Sequence, residues 1–245
     1  MRKGHELMAA RHHRTVDRLA SILEHVAHQP RGLSLSDLAK MLEAPKTSLH
    51  ALVNGLVATG YLVEQGRRYF LGPGPFVLTL MVSPLAARRI RHADLVALHA
   101  QIGQNILIGI QVGDTLVYID QAGDGPMMEF LAYSHRRRPL LTTATGKVIL
   151  AGLPTAEMQG ILAEAGRETP AAVERFLEEL PAIRRSKLAF NRGNTLPDLF
   201  AVATGLYDAD GRFVAAICAN GGPELANRLE EVGKDLVQAA TAWVV

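Results

Sequence analysis

The chain has 245 residues, 48% of them hydrophobic and 20% charged, proportions of an ordinary folded protein with one large domain or two modest ones. Its net charge is only +2, but residues 1–72 hold ten Lys/Arg against six Asp/Glu, a balance of +4, and the rest of the chain balances at −2. A single cysteine, Cys218, excludes an internal disulfide framework and a multi-thiolate zinc site, while the lack of a long apolar run and of a secretory-type N-terminus predicts a cytoplasmic protein with no membrane partner.

The first helix is predicted over Arg14–Ala27, where Val16, Leu19, Leu23 and Val26 recur at three- and four-residue steps. Pro30 and Gly32 stop it. Ser34, with Asp37 three residues on, marks the next N-terminus by a near match to the reciprocal capping pattern. Leu35, Leu38, Ala39 and Leu42 supply the buried face of that second helix. Pro45 comes soon after and is suited to open a third, because its missing N–H would be unpaired at the first helical position anyway. The third helix, Pro45–Thr59, buries Leu49, Leu52, Val53, Leu56 and Val57 and presents Lys46, Thr47, Ser48, His50 and Asn54. A hairpin follows: Tyr61–Glu64, a turn at Gln65-Gly66, then Arg67–Leu71, with Tyr61, Tyr69 and Phe70 assigned to packing.

That order of elements is a winged helix-turn-helix, a shape that places its third helix in the major groove of DNA. The third helix carries no acidic residue, and its donor-rich first turns suit phosphates and base edges. Candidate DNA contacts are therefore Ser34, Lys46, Thr47, Ser48, His50 and Asn54, with Arg67 and Arg68 on the wing. Two plainer readings compete: a merely solvated helix face, and a dimeric small-molecule sensor whose helix-turn-helix serves protein contacts. The flanking helix, tight turn and hairpin favour DNA.

After Gly72-Pro73-Gly74-Pro75 the chain turns apolar through Phe76–Leu80 and basic at Arg88, Arg89 and Arg91, a linker helix over 74–92. A helix over Asp94–Gly103 then presents Leu95, Leu98 and Ile102 on one side. Strands are expected at Ile106–Val112 and Thr115–Asp120 around Gly113-Asp114, and at Met127–Ala132. The stretch Leu140–Ala151 begins as a polar loop and becomes helical after about Ala144. A helix start with Thr142, Thr143 and Thr145 around it favours a carboxylate or other anion, against the plainer reading that these threonines merely cap the helix. Two or three helices over Thr155–Leu188, a hairpin of Phe200–Tyr207 and Arg212–Ala219, and a helix over Pro223–Trp243 complete an α+β sensor-like domain.

The run GLSLSDLAKMLEAPKTSLHALVNGLVATGYL resembles the IclR-type family of bacterial transcription regulators, through Lys46, Thr47, Ser48, His50 and Gly60-Tyr61-Leu62. A second motif of that family appears as Pro139, Leu140, Thr143, Ala144, Gly146 and Lys147. The resemblance implies a DNA-binding domain over 11–73, the linker, and a GAF/PAS-like effector-binding domain over 93–245. It implies a homodimer or dimer of dimers on double-stranded operator DNA, gated by a small organic acid and needing no cofactor. Effector contacts would come from Met128, Thr142, Thr143, Ala144, Thr145, Gly146, Lys147, Ala201 and Cys218. Three departures stand out: Ala51 where the family usually carries arginine, Ala201 at its frequent cysteine, and Gly205 at a later proline. The altered pocket wall admits larger acids, aromatic ones included, and a repressor of a catabolic operon is the expected role.

An enzyme has little to work with. Cys218 lies in the apolar run Val214–Cys218, where a free cysteine behaves as a small hydrophobe. No G-x-S-x-G elbow, P-loop or H-E-x-x-H occurs, and the histidine pairs lack the carboxylates or thiols of a metal site.

Overall fold

The computed structural model describes residues 13–81, 90–124, 137–194 and 196–243. They fall into two compact units that divide at residues 84 and 85. Among the described residues no helix is long and apolar enough to cross a membrane.

The N-terminal unit runs α1 (Arg14–Ala27), α2 (Leu35–Met41), α3 (Lys46–Ala58), the hairpin β1 (Leu62–Gln65) and β2 (Arg68–Leu71), and α4 (Gly74–Met81). Its core is Ile22, Val26, Leu38, Leu49, Val53, Leu56, Leu62 and Tyr69. The α1 stripe is rotated from the expected one: Ile22 is fully buried, whereas Val16, one turn from the free end, is 61% exposed. Ser34 caps α2 reciprocally, its hydroxyl accepting from the Asp37 amide at 3.2 Å while its own amide donates to Asp37 Oδ2 at 2.9 Å. The bonds that the Ser34 amide and then its hydroxyl donate to the Asp37 carboxylate hold that carboxyl below its usual range. Leu33 exchanges both backbone bonds with Tyr69, an isolated antiparallel bridge that adds a third segment to the wing beside β2.

Two boundaries move by one residue. Pro45 is the cap of α3 rather than its first helical residue, since its backbone is extended and its carbonyl accepts from the Ser48 and Leu49 amides. The wing turn is Gly66-Arg67, because Gln65 pairs with Arg68 and both central residues carry positive φ, +58° and +61°. A two-residue hairpin loop of this kind needs that conformation at both positions to match the twist of its strands.

The C-terminal unit runs α5 (His92–Ile102), β3 (Asn105–Val112), β4 (Thr115–Ala122), β5 (Arg138–Pro139), α6 (Ala144–Gly152), α7 (Thr155–Ala165), α8 (Pro170–Ser186), β6 (Leu188–Arg192), β7 (Phe200–Tyr207), β8 (Phe213–Gly221) and α9 (Leu229–Ala242). The six strands form one sheet in the order β5-β4-β3-β8-β7-β6, every pair antiparallel. Alternate residues face opposite sides. Leu107, Tyr118, Ala203, Ala216 and Cys218 pack under α6, α7 and α8. Ile106, Ile108, Val202, Ala215 and Ile217 pack against α5 and α9.

The expected α+β architecture is thus present, with corrections. Helix α5 begins two residues early, at His92, because the Asp94 carboxylate caps the Arg91 amide at 3.1 Å. Leu188, the expected end of the helical region, instead opens the edge strand β6 (Leu188–Arg192), where no strand was expected. The last helix is split into a single 3-10 turn, Pro223–Leu225, and α9. The strand expected at Met127–Ala132, like Arg88, Arg89 and Met128, lies outside the described residues. Ile22→Ala should cost about 2–5 kcal/mol by emptying a closed site, whereas Val16→Ala should stay within about 0.5 kcal/mol. Denaturant unfolding followed by circular dichroism checks both.

Candidate nucleic-acid interface and ligand site

Helix α3 is held by Leu49, Val53 and Leu56 on its inner side. That fixes what points outward: Lys46, Thr47, Ser48, His50, Ala51 and Asn54 are all exposed. Asn54 and His50, one turn apart, contact each other at 3.4 Å. Lys46 and Thr47 make no side-chain hydrogen bond or ion pair among the described residues. No carboxylate occupies the first turn, so the face presents donors to an acceptor-rich polymer without repelling it.

The remaining DNA candidates divide by what they already hold. Ser34 is half-buried and its hydroxyl serves the α2 cap, donating to Asp37 at 2.8 Å. Arg68 reaches back from β2 to donate to the Gly32 carbonyl at 2.8 Å, stapling the wing to the loop before α2. Arg67 stands exposed at the wing tip in a left-handed conformation.

In the C-terminal unit, Thr143 caps α6: its hydroxyl accepts from the Gly146 amide at 3.0 Å and donates to the Pro139 carbonyl at 3.1 Å. The first turns of the helix are buried from Ala144 to Leu150. Thr145 meets the Tyr118 hydroxyl at 2.9 Å in the interior, and the nearby Cys218 thiol donates to the Ala219 carbonyl at 3.6 Å. Burial pushes that thiol up to about 11 although Thr145 pulls it the other way, and burial raises the Tyr118 phenol well above its usual range. Both groups are neutral at physiological pH. Ala201 lies on the same side of the sheet, within the same core.

Lys147 does not join the threonines. Its ammonium, 3% exposed, pairs with Glu179 on α8 at 2.6 Å and donates to the Phe190 carbonyl on β6 at 3.3 Å. The structure therefore brings Thr143, Thr145, Ala201 and Cys218 to one face of the sheet and turns the Lys147 charge toward α8. Tyr118 belongs to that group and was missed by sequence reasoning; its alternation within β4 places it there, but its partner lies 27 residues away. An open cleft of about 770 Å³ occupies the opposite end of α6, around Gly152, Leu153, Tyr207 and Phe213, and none of the expected ligand residues line it.

A helix-turn-helix model, the IclR helix-turn-helix domain, matches residues 15–66, and the bacterial transcriptional regulator IclR C-terminal model matches residues 80–244. The chain belongs to the IclR family. It is a DNA-binding transcriptional regulator with a ligand-binding C-terminal domain. Among curated relatives of this IclR-family regulator, the probable transcriptional regulator SauR of Cupriavidus necator is 29% identical over 80% of this chain and 81% of its own. The regulator XynR of Escherichia coli is also 29% identical, over 83% of this chain and 84% of its own. The fold is shared with an IclR family regulator from Brucella abortus, with a TM-score of 0.71 at 19% identity, covering 95% of this chain and 92% of that one. It is shared too with an IclR homologue from Microbacterium hydrocarbonoxydans complexed with 4-hydroxybenzoate, with a TM-score of 0.72 at 18% identity, covering 93% and 96%.

Two tests follow from the buried polar groups. The neutral Cys218 thiol contributes stability fully below its ordinary value of 9.0, and loses that contribution as pH rises through about 11. At neutral pH the thiol should stay inert to a disulfide reagent until denaturant is added, which the rate of colour release would show. For the ion pair, Glu179→Leu should cost about 3 kcal/mol by stranding a buried ammonium. Lys147→Met should cost less, because Glu179 keeps 35% of its side chain in solvent. Thermal denaturation ranks the two, and a milder Glu179→Leu would contradict the buried pairing.

Proposed function

We propose that this IclR-family protein is an effector-gated repressor of a catabolic operon, acting as a dimer or dimer of dimers. In this reading residues 11–73 bind DNA, 74–92 link, and 93–245 bind a small organic acid. The observation that carries it is the combination, in one chain, of an exposed donor face on α3, with Lys46 and Thr47 holding no partner among the described residues, and a hydroxyl-lined, buried start of α6. Lys46, Thr47, Ser48, His50 and Asn54 read the groove. Arg67 reaches phosphate from the wing tip, and its left-handed backbone supports this. Such a conformation costs a non-glycine residue roughly 1–2 kcal/mol, a strain that a glycine at the tip would avoid. Arg68 and Ser34 act mainly by holding the wing and α2 in place.

The effector meets Thr143 and Thr145 with Ala201 and Cys218 beneath. Lys147 contributes by fixing α6 through Glu179 rather than by touching the acid. The 4-hydroxybenzoate held by a neighbour of the same fold, together with the small residue Ala201, supports including aromatic acids among the ligands. A ligand moves the protein between DNA-bound and free states only by binding the two with different affinity.

Thermal shift with a panel of aliphatic and aromatic acids identifies the effector. Thr143→Val should then abolish its effect on DNA binding while leaving ligand-free DNA binding intact. Thr143→Ser, which keeps the cap, should retain the response. A full response in Thr143→Val, read by fluorescence anisotropy on promoter DNA, would place the effector elsewhere.

A further inference from the structure

Helix α1 carries positive charge that none of the assignments above use. Arg14 and Arg18 are four residues apart on that helix, so they stand one above the other on the same face. The Arg18 guanidinium crosses to the third helix and donates to Ser48 Oγ at 3.4 Å. Ser48 lies in the first turn of α3 between exposed Thr47 and buried Leu49. The arginine fork is therefore set beside the turn of α3 that approaches base edges. Among the described residues no carboxylate forms an ion pair with Arg14, Arg18 or Lys46. The single long bond to Ser48 engages one nitrogen of Arg18, and the rest of the fork keeps its donors. A planar guanidinium with free donors matches a phosphate oxygen pair better than it matches one hydroxyl.

We propose that Arg18, supported by Arg14 one turn earlier, clamps the phosphodiester backbone beside the groove that α3 enters. The ligand is the backbone of double-stranded DNA of any sequence, and Ser48 orients the fork so that phosphate binding sets the position of the first turn of α3. The proposal rests on α3 being the helix that faces DNA. It explains why α1, whose inner side is packed into the domain core, carries two unpaired arginines on one face, Arg14 exposed and Arg18 half-buried.

The test is the salt dependence of binding to a duplex of arbitrary mixed sequence, measured by fluorescence anisotropy across potassium chloride concentrations. Each phosphate neutralised contributes about 0.9 to the slope of log K against log salt. Arg18→Gln keeps a donor for Ser48 but removes the charge, so its slope should become shallower by about 0.9. Arg18→Lys should restore the slope, and Arg14→Ala should reduce it in the same direction as Arg18→Gln. An unchanged slope in Arg18→Gln, or a loss that lysine does not restore, overturns the clamp. Lys46→Ala, measured in parallel, separates the two ways of failing. If it lowers the slope while Arg18→Gln does not, the clamp alone is wrong. If neither lowers it, the placement of α3 is wrong and the clamp falls with it.

Discussion

Helix α6 can lie against the sheet only because glycine and alanine stand where the two would otherwise collide. A Cβ on Gly109 of β3 would come within 2.9 Å of the Thr145 methyl, and one on Gly146 would run into the backbone of Leu140 in the turn that leads into the helix. Beneath the helix, Ala201, Ala203 and Ala216 keep the sheet surface low. This close approach buries the helix from Ala144 to Leu150, and burial obliges every polar group there to find a partner. Thr143, Thr145 and Lys147 do so on three different elements: the Pro139 carbonyl, the Tyr118 hydroxyl and the Glu179 carboxylate. The geometry of the α6 start is a consequence of small residues placed to let two surfaces touch.

The N-terminal unit answers the same requirement with backbone bonds. Leu33 extends the wing by exchanging bonds with Tyr69, and the next residue, Ser34, caps α2. Arg68 then ties the wing to the Gly32 carbonyl. At the other end, the Gly72 and Gly74 amides donate to the carbonyls of Tyr61 and Gly60, closing the hairpin onto the end of α3. Side chains at Gly72 would strike the Gly60 carbonyl. The wing is anchored at both its base and its edge.

Local signals made most of this readable from the amino-acid order. The bounds of α1, the Ser34–Asp37 cap and the Phe200–Tyr207 strand rest on neighbours within a few residues, where periodicity and capping chemistry act. Contributions that depend on distant partners were not readable. Val16 and Ile22 both fit an apolar stripe, and only the packing of α1 on β2 and α3 decides which is covered. The Gln65–Arg68 pairing that moves the wing turn by one residue is a property of the hairpin as a whole. Leu188–Arg192 becomes a strand because β7 offers it an edge. Lys147 reads as an anion binder from its motif, and its true partner is set by how α8 crosses α6.

The two candidate sites differ in one physical respect that bears on how they work. On α3, Lys46 and Thr47 hold no partner within the described residues, so DNA can take their donors at the cost of displacing water alone. On α6 the hydroxyls of Thr143 and Thr145 are already bonded to protein. An acid arriving there has to exchange those bonds for its own, and an unreplaced buried bond costs about 1–3 kcal/mol. A ligand bound there would therefore be coupled to the geometry of the α6 start, in a way that DNA on α3 would not be. In the proposed reading, α3 would be prepared before its target arrives, whereas α6 would have to change its bonding when an acid binds. In that reading, the exchange of bonds at α6 would supply the unequal affinity for two states that a gate requires.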